Sequence, residues 1–185
     1  SGYFAPGQSL SGGADIDRLN LRDIKVTRQD EDLVVTLTFM DGSAKMDMTE
    51  APAAGVPRYW TNWYPGVNRL AISLEGLAFW DYRVYPNEIE NTLIAGIFKQ
   101  LPINSETTVL YLNLKGDFAY RMASVGNQLM IYLRDLSQEP SAAWYVAVDG
   151  FAEYCQGQVP DSLGLAPCLC DDQGNVILLS APFAS

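Results

Sequence analysis

Residues 107–133 read TTVLYLNLKGDFAYRMASVGNQLMIYL. Three apolar-rich runs are divided by two turn signals, Lys115-Gly116-Asp117 and Val125-Gly126-Asn127. Short runs bounded by glycine with Asn or Asp read as strands joined by tight turns, so the stretch predicts an antiparallel three-stranded meander. Successive strand side chains point to opposite faces. Leu110, Leu112 and Leu114 therefore define a face to be buried, and Val109, Tyr111 and Asn113 a mixed one. No catalytic motif lies in this stretch, and it reads as scaffold.

The pattern has a counterpart upstream. Residues 33–39 (LVVTLTF) set Val35, Leu37 and Phe39 against Val34, Thr36 and Thr38. Residues 58–64 (RYWTNWY), the turn 65–68 (PGVN) and residues 69–74 (RLAISL) complete a second set of three strands. In the last of these Leu70, Ile72 and Leu74 alternate with Arg69, Ala71 and Ser73. Both halves place an Asn-containing turn before a final alternating strand. The expectation is a mostly-β chain built by duplication. Two three-stranded units stack through their apolar faces as a two-layer antiparallel sandwich, with a small α+β appendage at the C-terminus.

The rest of the chain fits around this frame. Residues 1–15 contain four Gly, three Ser and one Pro, the composition of a flexible leader or of a tether to an upstream anchor. Residues 19–26 suit an edge strand and 77–85 an aromatic-rich strand. Residues 86–101 (PNEIENTLIAGIFKQL) are ambiguous. Asn87 and Glu90 form a possible helix capping box, but Gly96 would cost a helix ~1 kcal/mol, which tilts the reading to a strand over 93–98. A polar connector over 133–141 divides the sandwich, 16–136, from a tail, 142–185, expected to pack on it.

Composition restricts the functional classes. The net charge is −10 and no basic run occurs, which argues against binding nucleic acid or an anionic lipid surface. There is no histidine, so Ser-His-Asp and Cys-His catalysis and histidine metal sites are excluded. No run approaches the ~20 apolar residues of a membrane helix. Serine offers no G-x-S-x-G elbow, and Ser11-Gly12-Gly13 reads as linker rather than phosphate loop. Neither a metal nor a cofactor is expected.

Residues 33–39, 68–77 (NRLAISLEGL), 94–100 (IAGIFKQ) and 107–133 together resemble the AMIN domain. Arg69, Leu70 and Leu74 match its "Arg-Leu-Val-Val-Asp-Leu" strand, whose Asp is Ser73 here. Residues 94–100 are similar to its "Ile-x-x-Ile-Arg-x-Gly-Gln" strand, with Lys99 in place of the Gly. The resemblance covers residues 16–136. It implies a β-sandwich of two facing three-stranded sheets and a non-catalytic role in holding a bacterial envelope protein at the cell wall. The tail, from Trp144 (WYVAVDGF…VILLSAPF), resembles half of a SPOR domain, which implies the same extracytoplasmic compartment.

Candidate site residues come from an aromatic belt. Tyr59, Trp60, Trp63 and Tyr64 lie together, as do Phe79, Trp80, Tyr82 and Tyr85. In a strand Trp60 and Tyr64 share one face, and Tyr59 and Trp63 the other. Only one face can be buried, so some rings should be exposed, although core filling is the commoner role for strand aromatics. Exposed rings beside Asn62, Asn68 and Asp81 suit the apolar face and hydroxyls of a sugar, or a protein partner. The expected ligand-binding residues are Trp60, Trp63, Tyr64, Trp80, Asp81 and Tyr82. Cys155, Cys168 and Cys170 read as buried thiols or as a disulfide from Cys155 to Cys168 or Cys170. The acidic runs 30–32 and 171–172 read as solvated turns.

The expected function is a non-catalytic module that binds or positions at the bacterial cell wall, through glycan or an envelope protein. A sensory or protein-interaction ectodomain of a membrane-anchored protein is the first alternative. A carboxylate-dependent glycan hydrolase, which needs two acids facing each other across a cleft, is another.

Overall fold

A computed structural model describes residues 2–43, 50–81, 91–100 and 106–137, and the backbone of four tail strands. Alternating apolar residues write the strands. In the hairpin of β3 (Leu19–Gln29) and β4 (Asp32–Asp41), Val35, Leu37 and Phe39 are buried. After β5 (Ala51–Pro52) come β6 (Tyr59–Tyr64), a 3₁₀ turn over Pro65–Val67, and β7 (Arg69–Glu75). The short β8 (Leu77–Phe79) runs parallel to β3. Then follow β9 (Ile94–Gln100), β10 (Thr107–Leu114), β11 (Phe118–Val125) and β12 (Gln128–Asp135). The strand reading of 93–98 corresponds to β9; residues 86–90 lie outside the described residues.

Two sheets pack face to face, as the alternation predicts. One contains the order β11-β12-β4-β3, the other β6-β7-β10-β9. Leu19, Leu21, Ile24, Leu37, Phe39, Leu70, Ile72, Leu74, Leu110, Leu112, Phe118, Tyr120, Leu129, Ile131 and Leu133 meet between them in one core. Interdigitating inner faces of this kind remove the apolar side of every strand from water, the main favourable term in folding.

The strands are shared between the sheets differently from two separate meanders. Residues 107–133 divide: β10 pairs with β7 in one sheet, while the β11–β12 hairpin joins β4 in the other. Lys115-Gly116-Asp117 is thus a crossing between layers, not a hairpin turn. The upstream half does the same, with β4 in one sheet and the β6–β7 hairpin in the other. Exchanging the halves (β3, β4, β6, β7 for β9, β10, β11, β12) turns the strand order of one sheet into that of the other. The exchange extends to single residues. Leu70, Ile72 and Leu74 take the places of Leu129, Ile131 and Leu133. Register shifts fall at matching points, beside Arg22 in β3 and Ala95 in β9. The duplication is therefore real, and its two halves are intertwined.

Asn68 and Asn127 mark the exchange in hydrogen bonds. Asn68 Nδ2 donates to the Leu114 carbonyl at 2.8 Å, and Asn127 Nδ2 to the Phe39 carbonyl at 2.7 Å. The Leu114 and Phe39 amides return hydrogen bonds to the Asn68 and Asn127 carbonyls.

Residues 2–13 differ from the expected flexible leader. Tyr3–Phe4 (β1) pairs with β11, and Ser11–Gly12 (β2) pairs with β6, so the segment closes an edge of each sheet. Between them the hydroxyls of Thr61 and Tyr120 stand 2.7 Å apart, and Tyr120 donates to the Gln8 carbonyl. Thr61 Oγ1 accepts the Leu10 amide at 2.8 Å, and Ser9 donates to the Thr61 carbonyl at 2.6 Å. The glycines serve close approach. Gly13 has φ +81°, and a Cβ there would lie 2.0 Å from the Pro57 carbonyl oxygen.

The described part of the tail is strand throughout: β13 (Ala143–Val148), β14 (Phe151–Tyr154), β15 (Cys168–Cys170) and β16 (Val176–Leu179). Its order is β14-β13-β15-β16, and β16 runs parallel to β1. The tail thus extends the first sheet by its edge; the helical part of the expected appendage lies outside the described residues.

Candidate functional site

Register fixes what the outer face of the β6-β7-β10-β9 sheet displays. Three rows cross it: Tyr64, Arg69, Asn113, Gly96; then Asn62, Ala71, Tyr111, Phe98; then Trp60, Ser73, Val109, Gln100. Strands lie ~4.8 Å apart, so the face is about 14 Å wide from β6 to β9. Tyr64 is 47% and Phe98 39% exposed, Asn62 and Gln100 are exposed, and Trp60 and Tyr111 are half-buried. Ala71 and Ser73, in the middle, are buried, so the larger side chains beside them close over them. Rings and amides thus cover a sheet face rather than line a deep pocket.

The face is internally braced. The Phe98 and Tyr111 rings stand 5.3 Å apart, and Tyr111 donates its hydroxyl proton to Gln100 Oε1. The Arg69 guanidinium lies 4.7 Å from the Phe98 centroid and 4.8 Å from that of Tyr111. Its Nε donates to Asn113 Oδ1 at 2.9 Å. Cation–π contact and the hydrogen bond hold a long side chain in one place.

The belt itself is split by strand alternation. Trp60, Asn62 and Tyr64 point outward. Tyr59 and Trp63 point inward, Trp63 meeting Phe118 edge-on at 5.3 Å between centroids. Trp63 thus packs on the core. Trp80 also packs there, beneath the Lys99 ammonium 3.8 Å from its ring centroid. Burial pushes the Lys99 pKa down and the Tyr59 pKa up. Asn68 is spent on the turn, at φ +49°. The Asp81 amide donates to Asn20 Oδ1 at 3.2 Å, away from the ringed face. Tyr82, Tyr85 and Cys155 lie outside the described residues, and so does the disulfide proposed for Cys155.

Phe98, Tyr111 and Arg69 are residues of this face that the belt did not reveal. Tyr111 was readable on the mixed face of its run, but its nearness to Trp60 and Tyr64 depends on β10 pairing with β7.

The fourth row turns acidic. Arg58 pairs with Glu75 at 3.6 Å, and Thr107 sits opposite Glu75. Together with Asp15, Asp17 and Glu106 they line a cleft of about 300 Å³. In the run 30–32, Asp30 and Glu31 form the exposed turn expected, but Asp32 does not belong to it. Asp32 is 6% exposed and accepts hydrogen bonds from Arg134 Nε at 3.0 Å and from the Tyr3 hydroxyl. Among the described residues no group of three or more His, Cys, Asp or Glu is placed to hold a metal ion.

Comparison of the chain with protein-family models, with curated proteins and with solved structures finds no match.

Proposed function

We propose that this chain is a non-catalytic binding module of the bacterial cell envelope that holds a glycan on the outer face of the β6-β7-β10-β9 sheet. The observation that carries this is a contrast inside the molecule. The positions of Trp60, Tyr64, Phe98 and Tyr111 correspond, by exchange of the halves, to Arg121, Val125, Lys25 and Thr36 on the other sheet. Folding makes the same demands on both outer faces, yet only one carries rings at these positions. Among the described residues the other face has Tyr3, which is buried, and Tyr132, which is half-buried, lying under Arg134 at 4.3 Å and Arg121 at 3.5 Å from their centroids, whereas Tyr64 and Phe98 stay exposed. Flat rings with amides between them match a sugar's apolar face and hydroxyls. The resemblance to the AMIN domain supports the envelope location and the cell-wall role.

Titration with peptidoglycan fragments and other envelope glycans tests the reading. Tryptophan fluorescence and the NMR signals of Trp60 and Tyr64 are expected to shift, and Trp60→Ala with Tyr64→Ala to remove the shift. No response to any glycan removes the reading, and capture of an envelope protein on the same face would replace it with the interaction-ectodomain alternative.

The acidic cleft favours one second reading, glycan hydrolysis by paired carboxylates. Release of reducing ends from a bound glycan, abolished by Glu75→Gln or Glu106→Gln, would establish it; intact glycan after prolonged incubation would remove it.

A further inference from the structure

Arg69 is the one charged side chain among the twelve positions of the three ringed and amide rows. It is a cation fixed on a molecule of net charge −10. Its Nε is used by Asn113, and its central carbon lies 4.7 and 4.8 Å from two ring centroids. Among the described residues it has no carboxylate within ion-pair distance, and its two terminal amino groups meet no acceptor. Arg134, Arg58 and Arg22 by contrast pair with Asp32, Glu75 and Glu50, while Arg121 on the other sheet rests, like Arg69, against two rings, those of Tyr132 and Tyr3.

We infer that the glycan held on this face is acidic, and that Arg69 reads a carboxylate on one of its sugars. This rests on the glycan reading above. A guanidinium fork whose orientation is already set loses little freedom on forming two parallel hydrogen bonds to a carboxylate. Tyr111 and Phe98 place a ring surface beside it for the sugar that bears the acid. The face is also polar end to end. Glu75 follows Arg69 by six residues on the same side of β7, ~20 Å away along the strand. The acidic cleft at that end repels a carboxylate, so the acid group is directed to the Arg69 end. A peptide carrying the same charge fits less well, because a peptide strand would pair at the outer edge of β9, whereas Arg69 lies two strands in, on β7, and the β7 and β10 backbones are already paired on both sides. A peptide strand gains its main-chain hydrogen bonds at an edge.

The test compares two tetramers that differ only at C6: cellotetraose and the β-1,4-linked tetramer of glucuronic acid, measured by calorimetry against the whole chain. The acidic tetramer is expected to bind about tenfold more tightly or better, with the advantage shrinking as salt rises. Arg69→Gln should bring the two affinities together; because Arg69 also braces Phe98 and Tyr111, the ratio of the two affinities, and not either one alone, reports the carboxylate contact. Arg69→Lys keeps the charge but loses the fork and should recover only part of the advantage. In the unmodified protein, the Arg69 Nε–H signal should shift with the acidic tetramer and not with the neutral one, which reports independently of how the variants fold. Equal affinities, or an Arg69→Gln protein that still prefers the acid, would overturn the inference and leave the glycan reading standing. Failure of both tetramers and of every envelope glycan would remove both. Tetra-aspartate binding as tightly as the acidic tetramer would overturn the choice of a sugar.

Discussion

At the scale of single residues, a few polar groups buried among apolar ones decide how the layers are held. Thr61 and Tyr120 join the two sheets to the N-terminal segment through hydroxyls that water cannot reach. Thr61→Val and Tyr120→Phe are each expected to cost about 1 kcal/mol in urea unfolding, and a double-mutant cycle should show coupling, because the two groups share one hydrogen bond. Tyrosine ionisation gives a second expectation. Burial pushes the hydroxyls of Tyr3, Tyr59 and Tyr120 above their ordinary value of 10.0, and the Asp32 carboxylate adds to the shift at Tyr3. A group whose pKa is raised by folding contributes stability in full below its unfolded pKa. It loses that contribution as pH rises through the folded value. Stability should therefore fall above about pH 10, with these three tyrosines titrating late in an absorbance titration.

At the scale of elements, the N-terminal segment is the telling piece. Its composition is that of a linker, and local preference alone leaves it free. It is ordered because β6 and β11 each present an unpaired edge that the segment can satisfy twice, at Ser11–Gly12 and at Tyr3–Phe4. Unpaired edges invite pairing with another chain. Removal of residues 1–13 is expected to lower the urea midpoint and to shift the protein towards oligomers in size-exclusion chromatography. A truncated protein that stays monomeric with its midpoint unchanged would show the segment to be dispensable. Gly13→Ala should reproduce part of the loss of stability, since its Cβ would collide with backbone at Pro57.

At the scale of the whole molecule, the fold is one pattern written twice and then interlocked. Each half contributes its first strand pair to one sheet and its second pair to the other, so neither half owns a sheet. Asn68 and Asn127 fasten the two crossings in the same way. Asn68→Ala and Asn127→Ala are expected to destabilise by similar amounts, ~1–2 kcal/mol each, and the double mutant to show a nearly additive loss in urea unfolding. Strong coupling between them would mean that one crossing depends on the other. The interlocking also accounts for the site. Trp60 and Tyr64 come from the first half and Phe98 and Tyr111 from the second, and they share a face only because the halves exchange strands.

The sequence by itself determined the longer alternating strands, the inward and outward sides of each, and the presence of two matching halves, because alternation is a local property that survives any arrangement of neighbours. It placed Trp60 and Tyr64 opposite Tyr59 and Trp63 for the same reason. Tertiary structure alone decided which strands pair, and so everything that depends on distant contacts. It took β10 away from the hairpin that follows it, turned the Gly- and Ser-rich start into strands, and drew Asp32 into a buried ion pair. It also set Arg69 between Phe98 and Tyr111. Pairing is chosen by the burial of two apolar faces together, a free energy that belongs to the packed molecule and to no single stretch of its chain.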